Sequence, residues 1–387
     1  MPGSQRLAWA RDGYRLGVGA VTGAVALFLV LRLTAWPPHE DEALVFFVSR
    51  APLGDLLDTV LGERGGAPLH YLLAHAALAA DESLEALRAL SVLFATAALP
   101  LVAALVARLA DRRTAVLAAL LAAASWSLLF HGIYARMYGL FLFTSTLACL
   151  LLLRALERGT WRRWAAWAAA ALALLATQPY GALVLAAQGL FVLVLRVRGR
   201  PVALRRPLAA AGAVLAAAAP LWVTYAQLAS RFDVGVGQGT RSGLGSPLDV
   251  LAYLWEVLGD FTAGWPAAGI PAALVALTGL VVLARRRPEA ALLTGAMLAV
   301  PVAALLATRS GSGLFLETRH LLFVLPFFAM TLAAGLLELG RRAGPVGPLV
   351  LGAGAAAVVA LQLAWGVSKT PWLYEGEPPA REAARSV

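Results

Sequence analysis

Cysteine, lysine and charge are all scarce in this chain. Cys149 is the only cysteine, which excludes an intramolecular disulfide and a cysteine-built metal centre. Lys369 is the only lysine among 32 basic residues. Charged side chains make up 14% of the 387 residues and hydrophobic ones 60%, whereas a soluble domain holds about 25% and about 45–50%. An ordinary soluble enzyme is excluded. Missing as well is any long polar stretch between residue 16 and the last twenty residues, beyond two segments described below.

What the chain has instead is a series of apolar runs long enough, alone or with help from neighbours, to cross a hydrocarbon core of about 30 Å. Eleven are read, at 16–36, 87–107, 114–131, 137–153, 164–178, 180–195, 207–225, 266–284, 290–308, 319–339 and 346–367. The first follows Arg6, Arg11 and Arg15 but exceeds the apolar length of a signal peptide and lacks its small-residue cleavage site, so it reads as an uncleaved span. With the N-terminus inside, 20 basic residues fall in cytoplasmic segments and 10 outside, with Arg32 and Arg88 at span ends. This is the positive-inside pattern. It accounts for the formal charge of +10 without a nucleic-acid partner.

Acidic residues sort the other way, with 17 of 22 outside, so the chemistry is expected on the outer face. Two outer segments are long, 37–86 and 226–265, and a short outer tail covers 368–387. Within the first, Leu53, Leu56, Leu57, Val60 and Leu61 follow the spacing of an amphipathic helix lying on the membrane surface. The second begins with a glycine-rich stretch (Gly235, Gly237, Gly239, Gly243, Gly245), which reads as a flexible loop. A second surface helix, with Leu248, Leu251, Leu254 and Trp255 on one side, follows it.

The strongest chemical feature is His39, Glu40, Asp41 and Glu42, directly after the first span. Three adjacent carboxylates repel one another, so at least one is expected to have a raised pKa suited to a general base. Neighbouring side chains on a helix diverge by about 100°, so one of Asp41 and Glu42 should reach substrate while the other holds the scaffold. A solvated acidic cap at a helix start is the plainer alternative. A divalent cation on these acids is also open, although the zinc-protease spacing of histidines is absent.

Pro68 can begin a helix, and it brings His70, Tyr71 and His75 into the same outer loop. Arg136 and Arg319 sit at the outer starts of spans, where the helix dipole disfavours a cation. A bound anion would relieve that conflict; pairing of Arg319 with Glu317, or anchoring on headgroups, would do so too. Arg88 has a nearer explanation in Glu85, three residues before it.

In these residues the chain resembles the GT-C membrane glycosyltransferases of family 39 type, which include protein O-mannosyltransferases, aminoarabinose transferases and the RgtA/B/C/D-like bacterial branch. The resemblance rests on Asp41 and Glu42 after the first span, on Pro68, Leu69 and Tyr71, and on Arg88. It rests further on Ala135, Arg136 and Tyr138, on Thr177 to Tyr180, and on Arg319 with Leu321, Leu322 and Pro326. Where members often have Pro-Pro in the first-loop motif this chain has Ala67-Pro68, and where some have a lysine it has none.

The resemblance implies an all-α polytopic fold, a GT-C-type bundle of about eleven transmembrane helices forming one domain with amphipathic surface helices in the first outer loop. It implies transfer of a sugar from a polyprenyl-phosphate donor to a hydroxyl of a glycan, lipid or protein acceptor at the outer face of a bacterial plasma membrane. Asp41 would be the base, with Glu42 beside it in the catalytic pair. Arg136, Arg319 and His70 would hold the donor phosphate, and His39, Glu40, Tyr71, Arg88 and Tyr138 would border the site. No cofactor is required by this scheme. The competing reading is a multi-span transporter or flippase of an anionic or lipid-linked substrate, which would place ionisable groups nearer the bilayer midplane.

Overall fold

The computed structural model describes residues 2–64, 66, 68–201, 203–233, 246–308 and 317–375. Ala67, the glycine-rich stretch 235–245 and the tail beyond 375 lie outside the described residues. Every regular element among the described residues is helical.

The chain opens with α1 (Pro2–Val30), then a short connection leads into α2 (Glu40–Arg50) and α3 (Leu53–Asp58), which continues as a π-helical turn, Thr59–Arg64. Next come α4 (Pro68–Ala80) and the long α5 (Leu84–Leu109). The middle of the chain forms α6 (Arg112–Ala124), α7 (Trp126–His131), α8 (Tyr138–Arg158), α9 (Trp161–Thr177) and α10 (Gly181–Val197). After these lie α11 (Arg205–Ala217), α12 (Ala219–Asp233), α13 (Pro247–Phe261), α14 (Pro266–Arg286) and α15 (Pro288–Thr308). A 3₁₀ turn, Thr318–Val324, leads into α16 (Leu325–Arg342), and α17 (Gly347–Glu375) closes the described chain.

All eleven expected runs are helical, but fewer of them are long, straight helices. Seven are long and apolar enough to cross a membrane, or eight when α11 and α12, bent by 55° at Ala218, count as one. Each of the others falls short for a local reason. α9 and α10 have 17 residues apiece, about 26 Å at 1.5 Å per residue. The run 114–131 is broken at Ser125, whose extended backbone (φ −66°, ψ 141°) ends α6 and whose hydroxyl caps Leu128 of α7.

Packing depends on small residues where helices touch. A Cβ on Gly279 of α14 would stand 1.8 Å from the Thr331 carbonyl of α16, and one on Gly335 of α16 would stand 2.0 Å from the Val275 carbonyl of α14. The two glycines thus let these backbones meet, an approach that small residues permit in membrane bundles. A separate small core holds the surface helices: Val45, Leu56, Val60, Tyr71, Ala74, Leu78 and Leu87 bury one another and Ala135. On α13, Val250, Tyr253 and Val257 face inward while Leu248 and Leu251 are 74% and 61% exposed. That outward apolar edge is what a helix lying on a membrane surface presents.

Candidate active site at one end of the bundle

Three segments remote in sequence converge at one end of the bundle. The first is the start of α2. His39 caps this helix, accepting at Nδ1 from the Asp41 amide (3.1 Å), while Glu42 reaches back to accept from the His39 amide (3.1 Å). This reciprocal cap fixes the first turn and turns Asp41 and Glu42 in different directions.

Glu42 points inward, 1% exposed. Its oxygens accept from Arg88 Nε (3.0 Å), from a second Arg88 nitrogen (2.7 Å) and from the Ala135 amide (2.9 Å). Arg88, 2% exposed, also donates to the carbonyls of Leu33 (2.7 Å), Trp36 (3.1 Å) and Pro37 (3.2 Å). This buried pair binds the end of the first span, α2, α5 and the turn after α7 into one unit. Both Glu42 oxygens are engaged, as expected of the carboxylate that holds the scaffold and not of one that meets a reacting group. One expectation is corrected here: Arg88 is held by Glu42 across 46 positions rather than by its near neighbour Glu85.

The second segment is that turn, residues 132–137, between α7 and α8. Ser91 donates to the Tyr134 carbonyl (2.8 Å), and with the Ala135 bond to Glu42 this presents Tyr134 and Arg136 to Asp41. Tyr134 donates its hydroxyl to Asp41 Oδ2 (2.8 Å) and also lies 3.0 Å from His39 Nδ1. Arg136 Nε stands 4.0 Å from the same oxygen.

The third is the 3₁₀ turn that opens α16. Arg319 lies 3.5 Å from Asp41 Oδ2 and 2.8 Å from Glu317, over the ring of Tyr138 at 5.1 Å. His320 accepts at Nδ1 from the Glu317 amide (3.1 Å) and stacks on Tyr180 at 4.6 Å. The turn is anchored from behind. Thr318 donates to Asp260, and Asp260, fully buried on α13, takes Lys369 of α17 on its other oxygen. Lys369 itself lies over Trp126 of α7 at 4.2 Å.

These contacts give Asp41 an asymmetric environment. All of its neighbours address Oδ2, and Oδ1 has no partner among the described residues, with the side chain 25% exposed. Burial pushes the carboxyl up, but the guanidiniums of Arg136 and Arg319, the Tyr134 hydroxyl and His39 together outweigh it and hold the carboxyl below its ordinary 3.8. At Asp41 the shift is thus opposite to the one that repulsion among adjacent carboxylates would give, because cations surround Asp41 and Glu42 is paired with Arg88. Tyr134 is pushed the other way, by burial and by the Asp41 charge, and remains a donor.

Arg136 is 13% exposed in its side chain, its Nε is buried without a partner, and no hydrogen bond from its guanidinium is found among the described residues. Arg319 Nε is likewise unpartnered. Such buried, unspent donors are costly to leave unmade. His70 is also buried beside Arg136 with Nε2 unpartnered, and burial and that guanidinium lower its pKa to about 3. It offers a neutral ring, not the cation that an electrostatic phosphate contact would use. Tyr71 packs in the small core and Glu40 is exposed on the first turn. His75 bonds the Ser49 carbonyl at 2.8 Å. Among the described residues no three His, Cys, Asp or Glu side chains converge to hold a metal ion.

Sequence reasoning passed over Tyr134 as a bearer of function and missed the Asp260, Thr318 and Lys369 group. The signal was present for two of these. A lone lysine at the end of an apolar span and an acid at the end of an apolar helix face both need a partner.

The fold agrees with comparisons to known proteins. Residues 67–224 match the family described as dolichyl-phosphate-mannose-protein mannosyltransferase. Among solved structures, the chain is similar to ArnT from Cupriavidus metallidurans bound to undecaprenyl phosphate, with 18% identity and a TM-score of 0.59 over 89% of this chain and 64% of that one. The same enzyme in its apo state gives 17%, 0.59, 87% and 62%. The Archaeoglobus fulgidus oligosaccharyltransferase in complex with zinc and sulfate gives 15%, 0.59, 90% and 52%. The chain thus spans less than two thirds of the length of each. No curated protein matches it by sequence. Together the two likenesses define a multi-pass membrane protein with the GT-C glycosyltransferase fold. The resemblance read from its motifs is to that same class.

Proposed function

We propose that the protein is a glycosyltransferase that moves a sugar from a polyprenyl-phosphate donor to a hydroxyl of a glycan, lipid or protein acceptor. The observation that carries this reading is that Asp41, whose Oδ1 has no partner among the described residues, stands beside the guanidinium of Arg136, whose Nε is buried without a hydrogen-bond partner. The undecaprenyl phosphate bound in the similar ArnT structure supports the donor class.

In the proposed reaction the acceptor oxygen attacks the anomeric carbon and its proton passes to Asp41 Oδ1. The bond from the anomeric carbon to the phosphate oxygen breaks, and its electron pair leaves with the lipid phosphate. A single displacement of this kind inverts the anomeric centre. The transition state carries oxocarbenium character on the sugar and growing negative charge on the leaving phosphate, which Arg136 and Arg319 stabilise at a partly buried site. The low pKa of Asp41 in the free site fits this scheme. A phosphate on Arg136 and Arg319 would offset the two charges that depress the carboxyl, making it a stronger base when donor is bound.

Orientation follows from charge. The arginine-rich ends of the helices lie away from Asp41, which by the positive-inside rule supports a cytoplasmic N-terminus and a site on the outer face of the plasma membrane. The candidate catalytic groups gather at one end of the bundle, whereas a transporter would hold its working charges near the midplane. The test is purified protein in proteoliposomes with a panel of polyprenyl-phosphate sugars and a membrane extract as acceptor. Release of free polyprenyl phosphate with sugar found on the acceptor supports the reading. Movement of an intact donor across the bilayer without release would replace it with the flippase.

A further inference from the structure

At the end of the bundle away from Asp41 a cavity of about 480 Å³ lies between the start of α6 and the last turns of α14 and α16. The separation follows from α16 itself, which begins after the Arg319 turn and runs 18 residues, about 27 Å, before its end lines this cavity. One wall is apolar, formed by Val282, Leu283, Ala334 and Leu337. The mouth is basic.

The carboxylates in the cavity are already engaged. Asp111 caps α6, its two oxygens accepting from the Thr114 amide (2.9 Å) and hydroxyl (2.9 Å). Glu338, 3% exposed, accepts from Arg341 (2.6 and 2.8 Å), Arg342 (2.9 Å) and Arg286 (3.1 Å). One buried carboxylate therefore serves three guanidiniums. Arg113 and Arg287, which also line the cavity, have no carboxylate partner among the described residues. A second cavity of about 380 Å³ shares Arg286 and Arg287; there Arg108 pairs with Glu157 (2.6 Å), Arg200 with Glu289 and Arg286 with Glu338, which leaves Arg287 as its one arginine without a carboxylate partner among the described residues. The first cavity alone thus holds two guanidiniums without a carboxylate partner among the described residues, Arg113 and Arg287, at the positive N-terminal end of α6.

We propose that this cavity binds the headgroup of an anionic membrane phospholipid, its phosphate between Arg113 and Arg287 and the upper part of an acyl chain along the apolar wall. A phosphate takes planar guanidinium donors in paired hydrogen bonds, and basic pockets between helices at a membrane rim suit such headgroups. A membrane lipid rather than a soluble phosphate is favoured by the apolar wall, which a free anion would leave uncovered. The inference stands apart from the proposed transferase activity, because no residue of the Asp41 site takes part.

The test is native mass spectrometry of the full chain in a non-ionic detergent, titrated with phosphatidylglycerol, phosphatidylcholine or glycerol 3-phosphate. Wild type should retain one phosphatidylglycerol in preference to phosphatidylcholine, and millimolar glycerol 3-phosphate should not displace it. R113Q/R287Q should bind phosphatidylglycerol at least tenfold more weakly. R285Q, which removes an exposed charge outside the cavity, should bind as wild type does. Thermal midpoints in lipid-free detergent show whether each variant is folded; should the double variant not fold, the single change R113E, at an exposed position, takes its place and should weaken phosphatidylglycerol binding to the same degree. Wild-type affinity in R113Q/R287Q, equal loss in R285Q, or equal retention of phosphatidylcholine would overturn the proposal. Displacement by glycerol 3-phosphate would overturn its lipid source.

Discussion

Replacing Arg88 by methionine isolates the role of the buried pair under the site. The change keeps most of the side-chain volume and removes five hydrogen bonds, two to Glu42 and three to the carbonyls of Leu33, Trp36 and Pro37. Glu42 would be left without its cation at 1% exposure. Removing one partner of a buried ion pair costs about 3–5 kcal/mol, chiefly because the survivor is stranded. A loss of about 4 kcal/mol in unfolding free energy is therefore expected, read as a fall in the thermal midpoint in detergent. The double change E42L/R88M removes both charges together, so its cost should fall short of the sum of the single costs by at least about 2 kcal/mol. Because Glu42 also holds the Ala135 amide, activity should drop in both single variants even where the protein is folded. A cost below about 1 kcal/mol for R88M, or single costs that simply add, would refute the claim that this pair carries the site.

Three further outcomes follow from the geometry. Y134F removes the hydroxyl donated to Asp41 Oδ2 at 2.8 Å; with a bond of about 1 kcal/mol lost, turnover should fall several-fold with donor KM little changed, and unaltered turnover would count against an orienting role. R136Q deletes a cation that depresses Asp41, so the acid limb of the pH-rate profile should move to higher pH and donor KM should rise; an unmoved limb would separate Arg136 from Asp41. His70 titrates near 3 in the folded protein and near 6.5 unfolded, so the stability it lends is present above pH 6.5 and falls as pH drops towards 3, by about 2 kcal/mol at pH 5. Thermal midpoints at pH 7 and 5 check this, and H70Q should flatten the difference.

The helical bundle was legible because apolar runs and arginine clusters are one-dimensional signals. Its breaks were less so. Ser125 ends α6 through its backbone conformation and a single hydroxyl bond, and nothing in local hydropathy marks that point. Asp41, Arg136 and Arg319 were readable as chemical candidates because each conflicts with its surroundings in a membrane chain. Their pairings were not. Glu42 meets Arg88 across 46 positions, and Asp41 meets Tyr134 across 93, distances over which spacing rules say nothing. The direction of the Asp41 pKa was hidden for the same reason, since charges adjacent in sequence suggest repulsion while charges adjacent in space supply attraction.

The most direct test of the central claim compares wild type with D41N in proteoliposomes, measuring release of polyprenyl phosphate from the active sugar donor at saturating acceptor. Asparagine keeps the shape and the contact with Tyr134 but cannot accept the proton. A loss of about 10²–10⁴-fold in turnover is expected for a general base, with a thermal midpoint near that of wild type. Turnover within a few-fold of wild type in folded D41N protein would contradict the account and remove Asp41 as its base.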